Sequence, residues 1–247
     1  MKHIVYNHTQ QAFSLNFLAL EDYYLRHLHN DETVLHLFKH TGLNIGIDDL
    51  KLIHEESSLP IDNIFLRQCG GKAVYTDEGV VNITLLYKSD DNLHKVYHQF
   101  VDFITDALKP LALKIESGTI EHSYCSGLYD LSVNQKKFCG IAQRKVKDTV
   151  SLHAYIAVEG DQTPRTQAVQ QFYQNLNAKN TPFLNNDVMC SLNQVTKHTC
   201  TTESVTQLII DAFSQTPLNQ SIDNLDLENS LQRVIKQQMR LGELTQK

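Results

Sequence analysis

The sequence predicts an α/β fold of the α+β kind, with a mixed sheet and a small, mostly helical C-terminal segment. Three observations lead there. Helical and β-rich stretches interleave along the chain. Several β-rich stretches are joined by turns too short for a helical crossover, which excludes a purely parallel, doubly wound sheet. From residue 184 onward the chain changes character and becomes mainly helical. The expected division is a catalytic domain over 1–183 and a helical extension or lid over 184–247.

Element by element, Phe13, Phe17, Leu20, Tyr24 and Leu28 recur at helical spacing, so 12–29 reads as an amphipathic helix. TVLHLFKHTGLNIGIDD gives a short strand, a turn at Gly42 and a second short strand closed by Asp48 and Asp49. Residues 52–62, with Pro60, suit a loop. GKAVYTDEGVVNITLLYK reads as two strands joined through DEG, the second rich in β-branched residues. Leu93, Val96, Tyr97, Phe100, Val101, Ile104 and Leu108 form one apolar helical stripe, stopped by Pro110. Residues 129–135 and 138–144 pair as a hairpin through Asn134 and Gln135, and 152–158 is a further strand. Pro164 suits the first position of a helix over 164–176. TTESVTQLIIDAF opens with a threonine cap, and 227–240 is a Lys/Arg/Gln-rich helix.

With 247 residues and 41% apolar content, the chain can bury a sizeable core. A net charge of -6 argues against a nucleic-acid partner, because counterion release needs a basic stripe. No apolar signal run opens the chain and no run approaches a membrane span, so no membrane partner is expected. Five cysteines at irregular spacing, without CxxC, suit free thiols in a cytoplasmic protein and neither a disulfide framework nor a metal site. GxSxG, HExxH and the phosphate-loop pattern are absent, and CGGKAV has the wrong glycine spacing for the last of these.

The chemistry concentrates in SYCSGLYDLSVNQKKFCGIAQRK. A nucleophilic cysteine needs access and a field that favours its thiolate. Cys125 precedes the flexible Ser126–Gly127 pair at the mouth of a strand, whereas Cys139 sits between Phe138 and Gly140 on a strand. Either can be structural on local sequence alone. The hairpin folds Lys137 back toward Cys125, and a neighbouring ammonium lowers a thiol pKa by about one to three units from about 8.5. His122 and His153 are possible bases, and Lys136–Lys137 can equally be a solvated turn.

Four stretches then carry a resemblance: VLHLFKHTGLNIGIDD, RQCGGKAVYTDEGVVNITLL, SYCSGLYDLSVNQKKFCGIAQRKVKD, and HAYIAVEGDQTPR with QQFY. In this order and at these intervals, they resemble the lipoate–biotin ligase and octanoyltransferase superfamily. The likeness is greatest to its amidotransferases that use glycine cleavage H protein. It implies a mixed-sheet catalytic domain of the biotin and lipoate ligase type. It also implies that Cys125 carries the acyl group as a thioester. Lys137 would lower the pKa of that thiol and serve as a proton donor. Arg67, Gly70, Gly71, Lys72, Asp77, Asn82, Asp130 and Gly140 fall on the substrate-binding positions. Ligases of the superfamily carry RRxxGGGAVxHD and GRND, but here Lys72 replaces the third glycine, Thr76 the histidine, and Gly127 to Asp130 read GLYD. ATP-driven lipoate activation is therefore not implied. Gln135 and Ser126 also depart from the amidotransferase pattern, which favours glycine and proline there.

The implied reaction moves octanoate from H protein to lipoyl domains of 2-oxoacid dehydrogenase E2 subunits, with no cofactor and no metal. Transfer from acyl carrier protein, lipoate ligation and non-catalytic binding of carrier domains are the alternatives. Val74, Val81, Ile83 and Ile141 are candidates to line an acyl groove. Lys72, Lys136, Arg144, Lys145 and Lys147 are expected to form a basic patch for an acidic carrier domain.

Overall fold

The computed structural model describes residues 1–53, 63–176, 182–214 and 218–245. The chain opens with strand β1 (Lys2–His8), helix α1 (Leu15–His27) and strand β2 (Glu32–Phe38). Ser14 caps α1 by accepting from the Asn16 N–H at 3.2 Å. No strand is expected at β1 from sequence, because its apolar run is short and its flanks are polar. Burial there comes from outside the strand: β1 lies between β2 and a late strand, and the Tyr6 hydroxyl meets that of Tyr24 at 2.8 Å.

Strand β3 (Gly42–Ile45) and the single turn α2 (Ile47–Leu50) follow, so Asp48 and Asp49 lie in a helical turn. The loop expected over 52–62 falls mostly outside the described residues. Strands β4 (Ile64–Leu66) and β5 (Val74–Thr76) flank β3 in a three-stranded sheet. Strand β6 (Val80–Lys88) belongs to the large sheet, so the chain changes sheets at DEG and makes no hairpin there. Helix α3 (Leu93–Ala107) is capped by Asn92, which accepts from the Lys95 N–H at 3.0 Å, and ends before Pro110. Leu93 is exposed and starts no buried stripe; Val96, Phe100, Val101 and Ile104 carry it.

Strands β7 (Ile115–Ser117), β8 (Leu131–Val133), β9 (Lys136–Val146) and β10 (Thr149–Ala157) run antiparallel in two successive hairpins. The first turns through Asn134 and Gln135, both at positive φ (50° and 61°), as a two-residue primed turn requires. Helix α4 (Gln162–Asn175) is followed by α5 (Leu192–Val195), α6 (Thr202–Phe213), the short strand β11 (Leu218–Asn219) and α7 (Glu228–Thr245).

The eight-stranded sheet has the order β11-β1-β2-β6-β10-β9-β8-β7. Only the β11–β1 and β1–β2 pairs are parallel, so the sheet is mixed, as the sequence predicts. Side chains alternate across it. Leu35, Leu37, Val81 and Ile83 join Phe100, Ile104, Val205 and Ile209 from α3 and α6 on one face. Val34 and Leu86 pack on Leu20, Tyr24 and Leu25 of α1 on the other. The C-terminal helical segment is present, and Cys190, Leu192, Val205 and Ile209 lie in the same core cluster as the central strands. Among the described residues, no helix is long and apolar enough to cross a membrane.

Candidate active site

The cavity that contains Cys125 lies on the α1 side of the large sheet. Its walls include Phe13, Phe38 and Phe65 with Val74, Ile141 and Ala154. Strand register gives its direction. Gly140, Tyr155 and Asn82 form one row across β9, β10 and β6, and Ala142, His153 and Thr84 form the next. The step between rows is roughly 7 Å. Of the residues expected to line an acyl groove, Val74, Ile83 and Ile141 border the cavity, whereas Val81 lies in the core with α3 and α6 and does not.

Cys125 sits in a turn with φ at +49°, a left-handed conformation that non-glycine residues rarely adopt. It is half-buried, whereas the other four cysteines are buried. Burial pushes the Cys69 and Cys200 thiols up to about 11 and that of Cys190 up to about 12. Burial raises Cys139 further still. Accessibility therefore separates Cys125 from Cys139, where local sequence left both open.

The Cys125 sulfur accepts from the Lys72 N–H at 3.2 Å and lies 3.9 Å from Nη2 of Arg67. Arg67 also shapes the loop. Its guanidinium donates to the Gly70 carbonyl at 2.9 and 2.8 Å, to Lys72 O at 2.7 Å and to Asn44 O at 3.0 Å. Gly71 permits this at φ +91°, and a Cβ there would stand 2.7 Å from Arg67 and 3.1 Å from the sulfur.

Lys137 is fully buried. Its Nζ donates to Tyr124 O at 3.0 Å, to Cys125 O at 2.8 Å and to the Asp130 carboxylate at 2.8 Å. Those acceptors account for the three hydrogens of an ammonium. Lys137 thus reaches Cys125 through the carbonyl oxygen and not through the sulfur, which faces Lys72 and Arg67. Asp130 also accepts from the Gly127 N–H at 2.8 Å, closing the turn after the cysteine, and burial raises its carboxyl above the ordinary range. A Cβ at Gly140 would lie 2.5 Å from the Tyr155 ring and 3.3 Å from Lys137 Cε, so only glycine fits.

Among the remaining expected site residues, Asn82 lines the cavity and donates to Phe38 O at 3.4 Å. Asp77 does not line it. Its carboxylate accepts from Arg165 Nε at 2.8 Å and from the Gly79 N–H at 2.9 Å, which ties α4 to the start of β6. The His122 ring packs against Phe183, 5.3 Å between centroids. His153 lies on the cavity wall, where it meets Thr84 at 3.1 Å and Ser151 at 2.9 Å, and burial lowers its pKa. Among the described hydrogen bonds, neither histidine reaches the sulfur. The basic patch divides: Lys136 begins β9 and Lys147 follows its end, roughly 35 Å apart along an extended strand. Arg144 points inward to Gln68 at 2.9 Å. Phe13, Phe65, Tyr155 and the loop partners of Lys72 were not legible as site residues, because nothing local ties them to the cysteine.

Residues 15–214 match the lipoyl protein ligase A/B catalytic domain family. An octanoyl-[GcvH]:protein N-octanoyltransferase of Macrococcus caseolyticus is 27% identical over 91% of this chain and 86% of its own. A protein of the same name from Oceanobacillus iheyensis is 33% identical over 74% of this chain and 70% of its own. Among solved structures, Ta0514 of T. acidophilum, assigned as a lipoate protein ligase and solved with bound lipoic acid, has a TM-score of 0.73 at 18% identity. The match covers 96% of each chain.

Proposed function

From the premise that this chain belongs to the lipoyl protein ligase A/B catalytic domain family, we propose an octanoyltransferase of protein lipoylation that carries the acyl group on Cys125. The donor is the octanoylated lysine of glycine cleavage H protein. The acceptor is a lysine on the lipoyl domain of a 2-oxoacid dehydrogenase E2 subunit. The observation that carries the reading is the half-buried sulfur between the Lys72 N–H and Arg67 at the edge of an aromatic-lined cavity.

In the first half-reaction the sulfur attacks the amide carbonyl. The C–N bond breaks, the lysine amine of the donor leaves with the proton of the thiol, and an acyl-Cys125 thioester remains. In the second, the acceptor amine attacks the thioester and the thiol is restored. One amide replaces another, so the exchange consumes no ATP. The thioester lies above both amides in energy, and binding must hold it. About six methylenes of the octanoyl tail, at about 0.8 kcal/mol each, supply roughly 5 kcal/mol when they leave water for the cavity. Lys137 acts through the backbone, fixing the Cys125 carbonyl and so the left-handed turn that presents the sulfur. Arg67 and Lys72 supply the cation and the N–H beside it.

Intact-mass analysis after mixing with octanoyl H protein tests this. The expected result is the gain of one octanoyl group, mapped to Cys125 and absent in Cys125→Ser. A serine variant that still transferred octanoate at the normal rate would end the proposal. Labelling from octanoyl acyl carrier protein, with none from H protein, would reassign the donor.

A further inference from the structure

The Lys72 N–H that meets the sulfur is held from its far side by two residues that do not line the cavity. Both polar groups of the Lys72–Ala73 peptide are engaged. Arg67 donates to its carbonyl at 2.7 Å, and its N–H, that of Ala73, donates to the Tyr173 hydroxyl at 3.1 Å. The Tyr173 hydroxyl in turn donates to the Asp49 carboxylate, 3.1 Å from each oxygen. Tyr173 comes from α4 and Asp49 from α2, and both are buried.

The direction of this relay is fixed by chemistry. An ionised carboxylate only accepts, so the single hydroxyl hydrogen of Tyr173 points at Asp49 and its lone pairs face Ala73. Apolar packing would not need such a device. Tyr173 already sits among Val169, Phe172 and Leu176 in an apolar cluster. Burial pushes the Asp49 carboxyl up to about 6, against the opposing pull of Tyr173 and Arg67. A carboxylate kept in so dry a place lowers stability at neutral pH. Its evident return is the orientation of one peptide.

We propose that Asp49 and Tyr173 are positioning residues for acyl transfer, which hold the Lys72 N–H on the Cys125 sulfur through the Lys72–Ala73 peptide. This rests on Cys125 being the nucleophile. Without the hydroxyl, the buried Ala73 N–H loses the acceptor it has at 3.1 Å, the peptide turns toward the Asp49 carboxylate, which already draws on that N–H, and the Lys72 N–H leaves the sulfur.

The test compares Tyr173→Phe, Asp49→Leu and Asp49→Asn in the full chain. The readout is Cys125 alkylation by iodoacetamide across pH, followed by peptide mass spectrometry, beside transfer from octanoyl H protein. Besides Tyr173 itself, and Asp49 acting on Arg67, the titratable groups that face the sulfur or its surroundings are Arg67, Cys69, Tyr97, Tyr124 and Tyr155, and these five are unchanged in the variants. Tyr173→Phe and Asp49→Leu should alkylate about tenfold more slowly at neutral pH, with a profile displaced upward by about one pH unit. Transfer should lose kcat, with KM for the donor protein unchanged. Asp49→Asn, which still accepts from Tyr173, should stay within about threefold of wild type. Wild-type alkylation profiles and kcat in Tyr173→Phe, or in Asp49→Leu should Tyr173→Phe not fold, would overturn the proposal whatever the melting temperature did. Transfer that survives complete alkylation of Cys125 would instead remove the nucleophile assignment, a result distinct from an unchanged profile.

Discussion

Removing the Lys137 ammonium would strand the Asp130 carboxylate at 1% exposure, with the Gly127 N–H as its described hydrogen-bond donor. Breaking a buried pair from one side costs about 3–5 kcal/mol. Lys137→Met should therefore lower stability by that amount in denaturant titration and abolish transfer. Lys137→Met with Asp130→Asn should regain part of the stability, because no charge is stranded, yet stay inactive, because the Cys125 carbonyl is no longer held. A double variant with normal transfer would show that neither residue serves the turn. At this scale the sequence was half legible. SYCSG and NQKKF are the two segments that the fold brings together, and the choice of Cys125 and Lys137 within them came from the resemblance. Which atom of the cysteine the lysine meets depends on the reach of a buried side chain across a hairpin, and no linear pattern encodes that.

At the scale of elements, α7 shows what its glutamines do. Gln238 imitates a neighbouring strand: its side chain accepts from the Leu66 N–H at 2.9 Å and donates to Leu66 O at 2.8 Å, covering the open edge of β4. Gln237 accepts from Gln68 at 2.7 Å, next to Arg67, and Arg233 reaches Asp22 of α1 at 2.7 Å. Gln238→Ala should cost about 1–3 kcal/mol, the worth of two hydrogen bonds at about 1 ± 0.5 kcal/mol each. It should also speed hydrogen exchange at Leu66 while leaving the central strands protected. Unchanged Leu66 exchange would mean that α7 does not clamp this edge. The Lys/Arg/Gln-rich composition of 227–240 predicted the helix. Its partner was invisible, because β4 and α7 are far apart in sequence and glutamine pairs with any backbone.

Across the whole molecule, the balance of buried titratable groups sets how stability follows pH. Burial lowers His8 and His40 from 6.5 to about 4, so each stays neutral in the fold while the unfolded chain takes up a proton near 6.5. Each therefore withdraws stability as pH falls from 6.5 toward 4, by up to about 1.4 kcal/mol per pH unit. Asp49 works the other way, gaining a proton near 6 in the fold and only near 3.8 when unfolded. It offsets one of the two histidines below pH 6. Melting temperature should thus fall from pH 6.5 downward, and in Asp49→Asn, where that offset is lost, the fall below pH 6 should be steeper. An acid limb equal in the two proteins would contradict the assignment of Asp49. The sequence by itself determined the mixed sheet, the longer helices and the Asn134–Gln135 turn, because periodicity, caps and turn residues act over a few positions. Only the tertiary structure decided that DEG crosses between sheets, that β1 is buried, that Arg67 and the Lys72 N–H meet one sulfur, and that Tyr173 and Asp49 stand behind their loop. Those outcomes follow from which face of which strand meets which helix, a matter of packing between segments that carry no record of one another.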